Sequence, residues 1–419
     1  MGLFLPNLWY VFIYRERYFC KKIIETKQMK KTILSLLVFP VLISCAKEES
    51  MEDLIERVFD VAAENTLHMA SELGPEDSPK TFEDGELVKT TYRWWCSGFF
   101  PGVLWQVYEY TGDEQFRALA EKETAKVEPI KHVTDHHDVG FMINCSYGHQ
   151  YRLTGDAHAL EVLRTAAQSL TGEFTEEVGC IKSWPFVKDG FSWVYPVIID
   201  NMMNLELLMS IGNMDNNEWL RRVAISHADV TMKNHFREDY TTCHLVDYIP
   251  GTGEVNKKIT VQGLADSSAW ARGQAWALYG YTMMYEQTGD KKYLHLAQNI
   301  GDMIEEYLPE DGIPYWDFND PKIPDTYRDA SAAAVMASAY IALDAAADNG
   351  KSYLPIAEKQ LRTLASEEYL AKPGEIGGFI LKHSVGNLPE NAEIDVPLPY
   401  ADYYFLEALL RYRKAISVE

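Results

Sequence analysis

From residue 53 onward, apolar positions recur at three- and four-residue intervals, the period of helices that bury one face. Four stretches repeat one layout: an apolar helix, a glycine-centred turn, then an amphipathic helix. The turns are Tyr108-Glu109-Tyr110-Thr111-Gly112-Asp113, Tyr151-Arg152-Leu153-Thr154-Gly155-Asp156, Met209-Ser210-Ile211-Gly212-Asn213 and Tyr285-Glu286-Gln287-Thr288-Gly289-Asp290. Glycine ends one helix in a left-handed conformation, and the Asp or Asn after it caps the next. Apolar residues then follow at helical spacing: Phe116, Leu119 and Ala120; Leu160, Leu163 and Ala167; Leu220 and Val223; Tyr293, Leu296, Ala297 and Ile300. A fifth turn, Asn349-Gly350, leads into Tyr353, Ile356 and Ala357.

Helix hairpins repeated over most of the chain imply a solenoid or a closed toroid. No Pro/Gly/Ser-rich linker interrupts the pattern, so residues 53–419 read as one all-α domain. Aromatic and charged residues collect in the loops at one set of helix ends, which favours a closed α/α barrel. Strand-like stretches are few, 242–249 and 378–381 being the best.

The segment before the repeats reads as an address. Met29-Lys30-Lys31 opens a basic start, residues 32–43 are mostly apolar, and Leu42-Ile43-Ser44-Cys45 reads as a lipoprotein cleavage site. A buried helix is the plainer alternative. The expected division is a signal and upstream extension over 1–44, a polar tether over 45–52 with lipid on Cys45, and then the barrel. Such a chain meets a membrane only through its lipid anchor, in a bacterial cell envelope, periplasm-facing or surface-exposed.

Charge narrows the ligands. The whole chain carries 39 basic and 62 acidic residues, a formal charge of −23. Residues 1–44 hold seven of the basic and two of the acidic ones, so the remainder stands at −28. That excess argues against nucleic acid, whose binding needs Lys and Arg on phosphates. Cys96, Cys145, Cys180 and Cys243 are widely spaced and suit buried thiols rather than zinc or redox motifs.

Four segments, 93–102, 132–141, 195–204 and 262–276, are too aromatic and polar for plain scaffold. Asp200 sits between Val197-Ile198-Ile199 and Met202-Met203, so burial should raise its pKa toward that of a general acid. It reads equally as a helix cap. Asp138, beside Gly140, suits a sugar-hydroxyl acceptor or a capping residue. The neighbouring His136 and His137 lack a third ligand at metal spacing. Arg272 and Trp276 share a helix face, either clamping a sugar carboxylate under a stacked ring or pairing as cation and indole in the wall. Trp95 and Trp184 offer further flat faces.

Five stretches together resemble the unsaturated glucuronyl hydrolases, glycoside hydrolase family 88: TDHHDVGF (134–141), IIDNMMN (198–204), SAWARGQAW (268–276), YRDASA (327–332) and EIDVPLPYADYY (393–404). They run in family order over residues 90–410. The resemblance implies a six-hairpin (α/α)6 barrel that removes a 4,5-unsaturated uronic acid from the non-reducing end of lyase-generated oligosaccharides, by hydrating an enol ether. It implies Asp200 as general acid/base and Asp138 as the second essential aspartate. It further implies His137, His244, Gln262 and Arg272 as polar substrate contacts and Trp95, Trp184 and Trp276 as stacking walls. It implies no metal and no cofactor. Ala330 and Cys96 depart from the Ser and Thr common in relatives. An unsaturated rhamnogalacturonyl hydrolase and a non-catalytic glycan-binding lipoprotein are the alternatives; a sugar epimerase on a similar toroid fits poorly with the lipoprotein signal.

Overall fold

The computed structural model describes residues 49–417. The chain divides into two units, Met1–Glu48 and Glu49–Glu419. The first, with Cys45 and the expected signal segment, lies outside the described residues. The second begins with Ser50, whose hydroxyl caps α1 (Met51–Glu72) by accepting from the Asp53 N–H at 3.1 Å.

Helices alternate between an inner and an outer ring. The inner ring is α2 (Phe99–Thr111), α4 (Val139–Ile143) running through a π turn into α5 (His149–Thr154), α7 (Asn201–Met214), α9 (Ala271–Thr288), α11 (Ala330–Ala346) and α13 (Pro399–Ile416). Each packs on the next, and α13 closes against α2. Outside them lie α1, α3 (Glu114–Val127), α6 (Ala157–Leu170), α8 (Glu218–Asn234), α10 (Lys291–Tyr307) and α12 (Leu354–Leu364). This is the expected (α/α)6 barrel.

Composition sorts the two rings. In α11 every residue from Ala330 to Leu343 is buried, and so is every residue of α9 from Ala271 to Met284. A helix apolar all round belongs inside. The outer α10 instead buries Tyr293, Leu296, Ala297, Ile300 and Ile304 while exposing Lys291, Lys292, Glu305 and Glu306. Small residues set the inner spacing: a Cβ on Gly140 would stand 2.6 Å from the Asn204 Cα of the neighbouring helix. Any larger residue there costs about 1–3 kcal/mol in forced shifts.

The turns follow the sequence with one exception. Gly112, Gly155 and Gly289 are left-handed at φ 69–70°, and Asp113, Asp156 and Asp290 cap the helices that follow. Gly212 does not end its helix. α7 continues to Met214, the left-handed residue is Asn216, and Asn217 caps α8. Gly212 lets the two helices approach instead, because a Cβ there would lie 2.8 Å from Arg221 Cγ.

Short strands cover the N-terminal ends of the inner helices. β1 (Asp77–Glu83) and β2 (Glu86–Thr91) form one hairpin, β6 (Ser384–Asn387) and β7 (Ala392–Val396) another. Between them β3 (Tyr195–Ile198), β4 (Leu245–Tyr248) and β5 (Val255–Ile259) make an antiparallel sheet in that order. β4 falls within the expected 242–249 stretch. Residues 378–381 form no strand: Gly377 and Gly378 have positive φ, and the Ile380 and Leu381 N–H groups donate to the Asp402 carboxylate at 3.0 and 2.8 Å. Cys96, Cys145, Cys180 and Cys243 are buried, unpaired thiols.

Candidate active site

All six inner helices point their N-termini the same way, and a cleft of about 590 Å³ opens there. Helix N-termini carry partial positive charge and free N–H groups. An acidic chain therefore presents its most anion-tolerant surface at this end of the barrel.

Asp200 stands at the head of α7, and Asp138 at the head of α4. Neither carboxylate caps its helix. That removes the plain structural role each had in the sequence. Burial is the main cause that lifts both to a pKa of about 7. For Asp200 the nearby Arg272 charge pulls the other way and Asp138 adds to the rise; for Asp138 an Asn204 hydrogen bond opposes it.

The local sheet delivers His244 to Asp200. β3 pairs with β4, the Ile199 N–H donates to the His244 carbonyl at 3.0 Å, and the imidazole Nε2 lies 3.9 Å from Asp200 Oδ2. His244 Nδ1 accepts from the Val261 and Gln262 N–H groups at 3.0 and 3.3 Å. The proton of the neutral ring is therefore on Nε2, facing Asp200. Burial and then Arg272 push this histidine down to about 3, so it donates as a neutral group. His137 is also buried and held neutral, first by that burial. His136 Nδ1 accepts the Asp138 N–H at 3.1 Å, so its 3.5 Å approach to the Asp138 carboxylate is no ion pair.

Arg272 is 1% exposed and tightly held. Its guanidinium donates to Asp329 Oδ2 at 3.3 Å, to the Gly386 carbonyl at 2.6 Å and to the Val385 carbonyl. It lies over Trp270 and Tyr400, 4.5 and 5.2 Å from the ring centres. The expected pairing with Trp276 does not occur. Trp276 is completely buried below the cleft, 5.4 Å from Phe141 and 5.6 Å from Tyr404, and offers no face to a ligand. This corrects its place as a stacking wall: it sits one turn deeper than Arg272, where the inner helices converge. Trp95 and Trp184 do line the cleft, as does Gln262, which donates to the Gly386 carbonyl at 3.3 Å. Among the described residues, no three His, Cys, Asp or Glu side chains are grouped to hold a metal ion.

Several polar atoms in and below this cleft are buried without a close hydrogen bond: Asp200 Oδ2, which His244 Nε2 approaches at 3.9 Å and the Trp276 indole faces from below, and the His137 nitrogens, which lie by Asn201 and Asp138. Native interiors rarely leave such groups open, so their concentration here marks a place built for a ligand. Lys80, Phe186 and Lys188 also line the cleft and escaped the sequence reading. Lys80 meets Glu393 at 3.3 Å and Lys188 meets Glu390 at 3.2 Å, tying β1 and a neighbouring loop to the β6–β7 hairpin.

The model of Glycosyl Hydrolase Family 88 matches residues 72–412. The chain belongs to this family. The unsaturated glucuronyl hydrolase of Formosa agariphila is 46% identical over 325 residues, covering 77% of this chain and 80% of that one. That of Bacillus sp. strain GL1 is 32% identical, covering 77% and 87%. Among solved structures, an unsaturated glucuronyl hydrolase specific for heparin superposes with a TM-score of 0.85 at 46% identity, covering 87% of this chain and 98% of that one. Membership in family 88 accounts for the order of the five sequence stretches and for the barrel.

Proposed function

We propose that this family 88 enzyme, an unsaturated glucuronyl hydrolase, releases the 4,5-unsaturated uronic acid at the non-reducing end of lyase-generated glycosaminoglycan oligosaccharides, with Asp200 as its general acid. The substrate ring is an enol ether, in which the ring oxygen pushes electron density onto C4. Asp200 donates a proton to C4, and positive charge develops at C5, shared with the ring oxygen. Water adds to C5 and gives its proton to the Asp200 carboxylate, restoring the acid. The resulting hemiketal opens and expels the next sugar, so one water is consumed per bond released.

Each neighbour has a task in this scheme. Burial keeps Asp200 protonated for much of the time near neutrality, as proton donation requires. Neutral His244 steadies the carboxylate once the proton has left. Asp138 and His137 hold substrate hydroxyls, Gln262 and Arg272 meet the polar edge of the sugar, and Trp95 and Trp184 flank the ring. The helix N-termini and Arg272 offset the −28 field, which salt screens beyond about 10 Å. None of these residues calls for a metal or an organic cofactor.

The observation that carries the assignment is Asp200 itself: not capping its helix, lifted to about 7 and set in the cleft of a family 88 barrel. The test follows the ultraviolet absorbance of the conjugated double bond in lyase-generated disaccharides, with wild type beside Asp200→Asn. Loss of absorbance with wild type alone supports the scheme, and the fastest substrate names the parent polysaccharide. Equal loss with both proteins removes Asp200 from its role. Binding without loss across the panel makes the protein a glycan-binding lipoprotein.

The cell-envelope location belongs to the same proposal and rests on the basic start at Met29, the apolar run and Cys45. Fractionation checks it: Cys45→Ala is expected to leave the membrane fraction, and retention there would refute the lipid anchor.

A further inference from the structure

A second cavity, of about 520 Å³, lies at the opposite end of the barrel, among the C-terminal halves of α2, α7 and α13 and the π turn before α5. Small-molecule sites commonly measure 300–1,000 Å³. None of the residues lining it lines the cleft. Its most informative residue is Gln106, completely buried, lining the cavity, with neither its amide nitrogen nor its amide oxygen hydrogen-bonded. A buried amide left unpaired is costly unless something in the cavity meets it. The π turn, Asn144–Gly148, breaks the regular inner helix at this same wall, a distortion often found at functional sites.

The surrounding groups select the ligand. Two of the three cations are already committed: Arg152 holds Glu109 at 2.8 and 2.5 Å, and Arg411 holds Glu407 at 2.7 Å. Lys414 is exposed. Glu206 has no ion-pair partner among the described residues, and burial, reinforced by Glu407, lifts it to about 7. With helix C-termini adding partial negative charge, an anion is disfavoured here. A bare ammonium fails for a different reason, since the Gln106 NH₂ needs an acceptor and an ammonium has none. A hydroxyl both donates and accepts, and so answers Gln106 and Glu206 alike. Tyr151, Tyr279 and Tyr403 supply apolar faces beside these groups.

We infer that this cavity is a second binding site, selective for a neutral monosaccharide-sized polyol, and separate from the cleft that takes the uronate.

Calorimetric titration of the full chain with glucose, galactose, N-acetylglucosamine and N-acetylgalactosamine tests this. At least one is expected to bind in the millimolar range. Gln106→Met, nearly isosteric, should weaken that binding about fivefold or more, in keeping with the loss of one or two hydrogen bonds. Trp95→Ala, in the cleft, should leave it in place. Should Gln106→Met fail to fold, Glu206→Gln is read in the same titration and is expected to change the affinity by a similar factor. No heat with any of the four sugars would mean the cavity holds water only, and overturns the inference. Binding that survives the Gln106 or Glu206 change but is lost in Trp95→Ala also overturns it, by placing the sugar in the cleft.

Discussion

The two ends of the barrel each bury a carboxyl group whose pKa is lifted to about 7, Asp200 at one and Glu206 at the other. Burial is the leading cause in both. What differs is the company. Asp200 sits at a helix N-terminus lining the cleft, with the Trp276 indole below it, a neutral N–H donor 3.9 Å away and a buried arginine close by. Glu206 sits in the middle of α7, bonded to the Asn144 side chain, beside a Glu407 whose Oε1 is held by Tyr279, Ser338 and Arg411. A displaced pKa therefore marks a buried carboxyl, and only its neighbours decide whether a proton can be delivered to a ligand.

The most severe way to separate the ends is Asp200→Asn. Removing a general acid costs about a hundredfold to ten-thousandfold in kcat, and a thousandfold loss is expected in the absorbance assay. The folded protein should not suffer. An ionised Asp200 is buried at a cost above pH 7, so the Asn variant should melt at a higher temperature than wild type at pH 8. A variant that is both inactive and less stable would make Asp200 a structural aspartate.

Next in size is the ion pair that fixes Arg272 beneath the β6–β7 hairpin. Asp329 is 0% exposed; its Oδ2 meets Arg272, while Oδ1 accepts from Ser331 and from the Val385 N–H at 3.3 Å. Asp329→Ala leaves a buried guanidinium without its anion, which costs about 3–5 kcal/mol. Chemical denaturation is expected to show that loss, and the KM of the surviving protein should rise as the hairpin edge loosens. An unchanged unfolding midpoint would show that the Val385 and Gly386 carbonyls hold Arg272 unaided. The tryptophans give a smaller contrast on the same axis. Trp95→Leu should raise KM with little effect on melting, whereas Trp276→Leu should lower melting by more than it changes KM, reflecting wall against core.

Much of this was legible in the sequence because capping chemistry is local. A Thr-Gly-Asp turn states its own geometry, and three of the four hairpin turns formed as written. Gly212 misled because glycine also serves close helix packing, which depends on Arg221, beyond the turn. The β1–β2 hairpin carried a readable signal in Asp84-Gly85, both at positive φ, a pair favoured in tight hairpins. Asp200 was legible from its apolar flanks and Asp138 from the glycine near it and the family resemblance, but Trp276 was not placed, since helical spacing gives the face and not the depth. Lys188 reaches the cleft through a loop path that no periodicity encodes, and Lys80 through a strand of the β1–β2 hairpin whose partner the sequence does not name. The far cavity was invisible for a related reason: Gln106, Glu206 and Arg411 lie inside helices whose pattern reads as ordinary core, and only closure of the ring brings them together.

The smallest effect tests the far end alone. Glu206 is raised from an ordinary value near 4.5 to about 7, so the folded state binds its proton more tightly than the unfolded chain does. Below about pH 4 the group is protonated in both states and contributes no difference. As pH rises toward 7 the unfolded chain ionises freely while the folded one resists, and above 7 the folded protein holds a buried carboxylate at full cost. Glu206→Gln removes that cost. Its stability relative to wild type should be near zero at pH 4, grow through the interval from 4.5 to 7, and level off above it at about 1–3 kcal/mol, the upper end being the full rise from 4.5 to about 7. Urea denaturation of both proteins at pH 4, 6 and 8 reads the curve directly. A Gln variant less stable than wild type at pH 8 would mean that Glu206 is ionised and paired with Arg411. The far end would then be a closed charge network, and the contrast with Asp200 would rest on ion pairing rather than on what each carboxyl leaves open to a ligand.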